Sequence, residues 1–257
     1  MMTMEPLQVS PLRGDRVLSV RLARPKANII DSAMISALGA ALANARGNDR
    51  LQALLLCAEG PHFSFGASVE EHLPDQCAVM LADLHRLVLQ LVTFPVPVLV
   101  AVQGQCLGAG LELALTGHLL FAAPNAQLGQ PEIKLGVFAP AASCLLPLRI
   151  GQMAAEDMLL SGRSLSAGEG HRIGLVAAIA EDAETAALDY YDSHYAALSA
   201  SSLRLAVRAA RSSFSAQVQQ RLAQVETLYL QDLMSTKDAI EGLTAFIAKR
   251  PPLWKDQ

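Results

Sequence analysis

The sequence predicts an α/β fold with largely parallel strands, and three observations carry that expectation. Short apolar runs alternate along the chain with stretches whose apolar residues recur at helical spacing. Breaks rich in Pro, Gly and Asn separate the two kinds of segment. Two of the runs, Ala53–Ala58 and Val98–Val102, are apolar without interruption, which marks strands covered on both faces.

Taken in order, residues 16–22 have a strand pattern that Arg24-Pro-Lys-Ala-Asn28 breaks, and Asp31 or Ser32 then caps a helix with apolar residues at Met34, Ile35, Leu38, Ala41, Leu42 and Ala45. The strand at Ala53–Ala58 ends at Glu59-Gly-Pro61. The loop of residues 62–69 leads to a helical pattern from about residue 75 to 93, stopped by Pro95 and Pro97 before the strand at Val98–Val102. A Gly-rich turn then precedes a helix over residues 111–116 with Gly117 as its C-terminal cap. Leu119–Ala122 and Gln127–Gly129 read as further short strands. From Pro140 onward helices dominate, interrupted by a brief apolar run at residues 176–180, and Ser166-x-x-Glu169 reads as a capping box. Residues 183–249 are almost wholly helical. The last two helical patterns, at residues 217–234 and 238–249, carry too much apolar surface to stand alone and are expected to pack on the core or on a neighbouring subunit.

The chain has 257 residues, of which 52% are hydrophobic and 17% charged, enough for a sizeable core. The charged share falls below the roughly 25% of an average soluble protein, so an oligomer is expected. A formal net charge of -4 argues against nucleic acid or an anionic membrane as partner. The four cysteines Cys57, Cys77, Cys106 and Cys144 are far apart, without a CxxC pair, and read as buried thiols of a reducing compartment. Residues 1–14 lack the basic start and apolar centre of a leader, and no apolar run approaches the roughly 20 residues of a membrane span, so a cytoplasmic location is expected. The six histidines show no metal-ligand spacing, and no metal or redox cofactor is expected.

Chemistry concentrates around two glutamates, Glu112 and Glu132, each just behind a turn of small residues. A carboxylate on an apolar unit is costly to bury unless it is used, and two can divide acid and base work. Two loops, Phe65-Gly66-Ala67-Ser68 and Leu107-Gly108-Ala109-Gly110, could each aim main-chain N–H groups at one developing negative charge. Tight helix–strand packing explains either loop taken alone. The glycines at 104, 108 and 110 do not spell a dinucleotide-binding fingerprint, because Leu113 holds its third glycine position. Ser64, Ser68 and Ser143 lack the histidine and acid of a serine hydrolase.

Together, Arg24-Pro-Lys-Ala-Asn28, Phe63-Ser-Phe-Gly-Ala-Ser68, Ala101-Val-Gln-Gly-x-x-Leu-Gly-Ala-Gly-Leu-Glu112-Leu-Ala and Gly129-Gln-Pro-Glu132-Ile-x-Leu-Gly136 resemble the crotonase, or enoyl-CoA hydratase/isomerase, family over nearly the whole chain. The resemblance implies a spiral of ββα units over residues 1–198, holding the CoA and active sites, and a helical oligomerisation region at 199–257. It also implies a homotrimer, or a homohexamer of two trimers, and acyl-CoA thioesters as substrates, with CoA as part of the substrate. By that likeness, the amides of Ala67 and Ala109 hold the thioester oxygen, and Glu112 and Glu132 do the proton chemistry. Glu112 is assigned water activation and Glu132 proton delivery, although the opposite order or a shared proton fits a close carboxylate pair as well.

Departures from the family pattern narrow the expectation. Ser68 stands where many members have aspartate. Phe138-Ala-Pro140-Ala-Ala142 replaces a glycine-rich turn, and Pro140 has no N–H to help hold an attacking water. Phe63-Ser-Phe-Gly-Ala-Ser-Val-Glu-Glu-His-Leu-Pro74 together with Gly136-Val-Phe-Ala-Pro-Ala-Ala-Ser143 looks like the branch that hydrates cyclohexa-1,5-diene-1-carbonyl-CoA in anaerobic benzoyl-CoA degradation. Phe65, Gly66, Ser68, Val69, Leu73, Gly108, Phe138 and Pro140 are then the candidate substrate-binding residues, with Phe65, Val69, Leu73 and Phe138 as walls for a flat ring. The likeness places Lys26 near the CoA phosphates, helped by Arg24, and the backbone around Ala27 and Ala67 to Val69 near the adenine. Lys249 and Arg250 either reach a CoA phosphate or cap the last helix. A general enoyl-CoA hydratase, an isomerase or ring hydrolase of the same fold, and a non-catalytic binding scaffold are the competing readings.

Overall fold

A computed structural model describes residues 5–257; the first four residues of the segment read as leaderless, which also begin the expected core unit, lie outside the described residues. The chain opens with β1 (Leu7–Leu12) and β2 (Val17–Leu22), an antiparallel hairpin pairing Leu7 with Leu22 and Leu12 with Val17. Next comes α1 (Ser32–Arg46), whose first turn is capped by Asp31: its carboxylate accepts from the Met34 amide at 2.8 Å. Then follow β3 (Ala53–Ala58), α2 (Cys77–Val92), β4 (Val98–Val102), β5 (Gln105–Leu107), α3 (Ala109–Thr116), β6 (Leu119–Ala122), β7 (Gln127–Gly129), α4 (Pro140–Ile150) and α5 (Gln152–Ser161). The chain ends with β8 (Ser164–Ser166), α6 (Ala167–Arg172), β9 (Ala178–Ile179), α7 (Ala183–His194), α8 (Ala200–Thr227) and α9 (Lys237–Ile247).

Beyond the hairpin, the main sheet is parallel throughout in the order β1-β2-β3-β4-β6-β9. A smaller sheet runs β5-β7-β8. Because strand side chains alternate, the cross-strand row Val20, Leu56, Val100 and Leu120 enters the large core, while Leu55, Leu99 and Phe121 face the other way onto Ala183, Ala187 and Tyr191 of α7. Both faces are therefore dry, which is why β3 and β4 read as unbroken apolar runs. Truncating a side chain of that row, such as Leu56→Ala, should cost about 2–5 kcal/mol.

Several local readings are corrected. β1 gave no strand signal because only Leu7 is buried along it, β5 lies inside the stretch read as a Gly-rich turn, and β8 buries only Leu165. The helical pattern placed at residues 217–234 belongs to one helix that starts at Ala200, with Leu203, Val207, Arg211, Val218 and Leu222 as its buried stripe. The first half reads as helical in the sequence, but the arginine in mid-stripe hides its continuity with the second. The helix placed at 111–116 begins at Ala109, and Gly117 ends it with φ −58°, outside the left-handed region. A methyl at Gly117 would lie 2.4 Å from Cγ2 of Val100, so the glycine serves close packing of α3 on β4. The capping box is present: Ser166 Oγ accepts from the Glu169 amide at 3.2 Å, and Glu169 accepts from the Ser166 amide at 2.9 Å.

α8 packs across α2 and α4, continues through one π-helical turn at Leu228–Asp232, and returns as α9 over the turn that follows β7. All four cysteines are buried and unpaired in disulfides. Among the described residues, no helix is long and apolar enough to cross a membrane.

Candidate active site

Three distant segments meet because residues 63–66 run between two others. On one side Phe65 donates to the Ala27 carbonyl and Ile30 donates to that of Gly66, both at 2.9 Å. On the other, Phe63 donates to Gln103, Ser64 to Gln105, and Leu107 back to Ser64, at 2.9 to 3.0 Å. Buried Asn28 ties the first segment down, donating to the carbonyls of Glu59 and His62 at 3.0 Å. The contacts leave Gly66 facing Gly108. Both hold positive φ, +104° and +52°, and a methyl on Gly66 would sit 3.1 Å from the Leu107 carbonyl oxygen and 3.6 Å from the Ala109 nitrogen.

That closeness brings the Ala67 and Ala109 amides to one place. Neither has an acceptor among the described residues: Ala109 opens α3, where the first N–H groups have no intrahelical partner, and the bridge between Ile30 and Ala67 uses the Ile30 amide. Glu112 follows three residues after Ala109, on the same face of α3. Its carboxylate is 3% exposed and accepts from the Ala142 amide, in the first turn of α4, at 2.8 Å. Burial pushes the group up to about 7, against the pull of the Ala142 and Ala141 amides toward the charged form.

Glu132 arrives from the other wall, on the 3₁₀ turn Pro131–Leu135 that follows β7. Its Oε1 lies directly over Gly108, where an added methyl would come within 2.6 Å of it. Burial and then the charge of Glu112 push its carboxyl up to about 8. Both carboxyls are therefore held toward their protonated forms, and the charge of either one opposes ionisation of the other. The carboxamide of Gln130, 1% exposed, faces Glu132: with its nitrogen inward it donates to both carboxylate oxygens at 3.0 and 3.1 Å, and with its oxygen inward it can accept only from a protonated Glu132.

The cavity enclosed by these groups measures about 730 Å³ and is mostly apolar. Of the residues expected from sequence, Glu112, Glu132, Ala67, Ala109, Phe65, Gly66, Ser68, Val69, Gly108, Phe138, Pro140 and Ala27 line it. Leu73 does not; it packs partly buried against the core. Arg24, Lys26 and Lys249 also lie off the lining, and Arg24 is paired with Asp31 at 2.6 Å while Arg250 pairs with Glu241 at 2.6 Å. Sequence reasoning missed Gln130, which stood inside a quoted motif, and the lining residues His72, Lys134, Leu243 and Phe246. No local signal marks the last two, because α9 reaches the cavity only through the tertiary fold. Among the described residues, no group of three or more His, Cys, Asp or Glu could hold a metal.

Residues 13–257 match the family described as Enoyl-CoA hydratase/isomerase. The chain belongs to this family. It is 60% identical over 252 residues to cyclohexa-1,5-dienecarbonyl-CoA hydratase of Thauera aromatica, covering 98% of each chain. It is 34% identical over 249 residues to 2,3-dehydroadipyl-CoA hydratase of Escherichia coli K12, covering 95% of this chain and 96% of that one. Among solved structures, an enoyl-CoA hydratase from Mycobacterium avium subsp. paratuberculosis K-10 superposes with a TM-score of 0.84 at 27% identity, over 98% of this chain and 99% of that one. The fold is thus the crotonase fold expected from the motifs, with the ββα units of the spiral visible as β1β2α1, β4β5α3 and β6β7α4.

Proposed function

We propose that the protein hydrates cyclohexa-1,5-diene-1-carbonyl-CoA to 6-hydroxycyclohex-1-ene-1-carbonyl-CoA. The observation that carries this reading is the convergence, in one apolar cavity, of two unoccupied main-chain amides and two carboxyl groups that burial raises. The 60% identity to a hydratase of that name supports the choice of acyl group. Ala67 and Ala109 donate to the thioester oxygen, where charge collects when water attacks; losing one such donor costs about 10²–10³ in rate. Glu112, held toward its charged form by the start of α4, takes the proton of the water as oxygen bonds to the β-carbon. The electron pair moves onto the thioester as a dienolate. Glu132 then delivers its proton to the far carbon of that dienolate, which leaves one double bond conjugated to the thioester. Water supplies both added atoms, and the proton gained by Glu112 restores Glu132 after release.

The flat ring is accommodated between Phe65 and Phe138, which both line the cavity. Exposed apolar side chains on the C-terminal helices and tail, among them Leu205, Leu228, Phe246, Leu253 and Trp254, support assembly through residues 199–257 into a trimer or a pair of trimers. Turnover of the cyclic dienoyl-CoA and of crotonyl-CoA in heavy-oxygen water tests the proposal. Faster labelling of the cyclic product is expected; preference for crotonyl-CoA would make the chain a general enoyl-CoA hydratase, and no label from either would end the hydratase reading.

A further inference from the structure

The far end of α3 carries a charged arrangement that the reaction above leaves unused. Arg211, from α8, donates to the carbonyls of Thr116 at 2.9 Å and Gly117 at 2.7 Å. Arg149, from α4, donates to Leu115 at 3.1 and 2.8 Å and also to Gly117. Terminal carbonyls of a helix lack intrahelical partners, and one cation there satisfies them and opposes the negative end of the helix dipole. Here there are two, placed against the same Phe214 ring at 4.9 and 4.8 Å from its centre. Neither has an acidic partner among the described residues. Burial lowers Arg149 to about 10, and burial with repulsion from Arg149 lowers Arg211 to about 9, so both remain charged at neutral pH. Two like charges, Arg211 buried and Arg149 half-buried, without a counter-ion are costly unless negative charge develops within their reach.

Such charge develops at the other end of the same helix. We infer that Arg149 and Arg211 are positioning residues of the hydration step, acting through α3 to fix the Ala109 amide and to add positive potential where the thioester oxygen becomes an enolate. This rests on the hydratase reading. Eight helical residues span about 12 Å. A unit charge acting over that length at an effective dielectric near 20 changes a rate roughly tenfold. The same potential favours the charged forms of Glu112 and Glu132, so removing it raises the pH at which both titrate. The other ionisable groups around the two carboxyls are Cys144 and Tyr229 beside them and Glu70, His72 and Lys134 on the cavity wall; His118, beside the arginines, is held neutral by burial and by both cations. None of these is substituted in the variants below, and His118, released from one cation, is still held down by burial.

Arg149→Gln and Arg211→Gln keep a hydrogen-bond donor and lose the charge, while the corresponding lysine variants keep the charge. Phe214→Glu leaves the carbonyls capped and sets a carboxylate between the guanidinium groups, with Phe214→Gln as its control. Two readouts are used: infrared titration of the Glu112 and Glu132 carboxyls without substrate, and the pH profiles of kcat and KM. The charge-removing variants should lose about tenfold in kcat with little change in KM, and both carboxyl titrations should move up by roughly one pH unit. The lysine variants should recover most of the loss. A folded Arg→Gln variant, or Phe214→Glu, with native titrations and kcat within about twofold of native overturns the inference. If the glutamine variants fail to fold, the Phe214 pair decides. Titrations that shift in a chain without hydratase turnover would uphold the reach of the two charges and sink the hydratase reading instead.

Discussion

Glu112 and Glu132 share one cavity yet are held in opposite ways. Glu112 stands on a regular helix and receives an amide from the first turn of a second helix, so its charged form has a ready partner. Glu132 stands on a short 3₁₀ turn over a glycine and faces a carboxamide that tolerates either protonation state. The difference shows how one site can assign distinct roles to the same residue type: burial raises both, and main-chain amides pull each partly back, those of Ala142 and Ala141 on Glu112 and its own on Glu132.

Replacing either glutamate with glutamine is the hardest test of that contrast. Both variants should lose about 10²–10⁴ in kcat while thioester binding stays within a few-fold. They should then part company: in heavy water, Glu112→Gln should still exchange the distal ring hydrogen of the hydroxylated product, and Glu132→Gln should not. The reverse pattern would exchange the two roles. Gly108→Ala comes next, because its methyl would occupy a left-handed position 2.6 Å from Oε1 of Glu132. A loss of roughly 10² in kcat is expected from misplacing the acid, with about 1–3 kcal/mol of stability read from urea midpoints.

The pH dependence of stability separates burial from catalysis. Glu112 is raised in the folded state above its ordinary 4.5 to about 7, so its contribution to stability is present below the lower value and is lost as pH rises through the upper one. Glu112→Gln removes that loss. The inactive variant should therefore gain on the native chain as pH rises, reaching about 3 kcal/mol above the folded-state titration. Equal urea midpoints for the two chains at alkaline pH would show that Glu112 is not held as the structure implies. The smallest effect belongs to Pro140→Ala, which adds an N–H at the start of α4. Crotonyl-CoA hydration should rise by a few-fold over the native chain, measured as kcat/KM; no gain would mean that the missing donor does not limit a simple hydration.

Much of this was legible in the residues. The central strands, the Asp31 cap, the Ser166 and Glu169 capping box and both glutamates could be read because each leaves a local signature: an apolar run, a polar cap before a helix, an acid in an apolar stretch. The edge strand β1 and the continuity of α8 from Ala200 could not. The one is largely exposed and the other buries an arginine, so burial and hydropathy disagree at both. The expected anion-binding set of Arg24, Lys26 and Lys249 is absent from the lining of the cavity, and a side chain such as Arg24 goes to the nearest carboxylate, here Asp31, a choice that spacing along the chain does not record.

The sequence alone determined which segments become strands and helices and which small residues and acids are available for chemistry, because backbone geometry and apolar periodicity act over a few neighbours. Only the tertiary structure decided that Gly66 meets Gly108, that α4 aims an amide at Glu112, that Gln130 faces Glu132, and that two arginines from α4 and α8 close on the end of α3. Those are meetings between segments far apart in the chain. Packing and the need to satisfy buried polar groups select them, and neither force is visible one residue at a time.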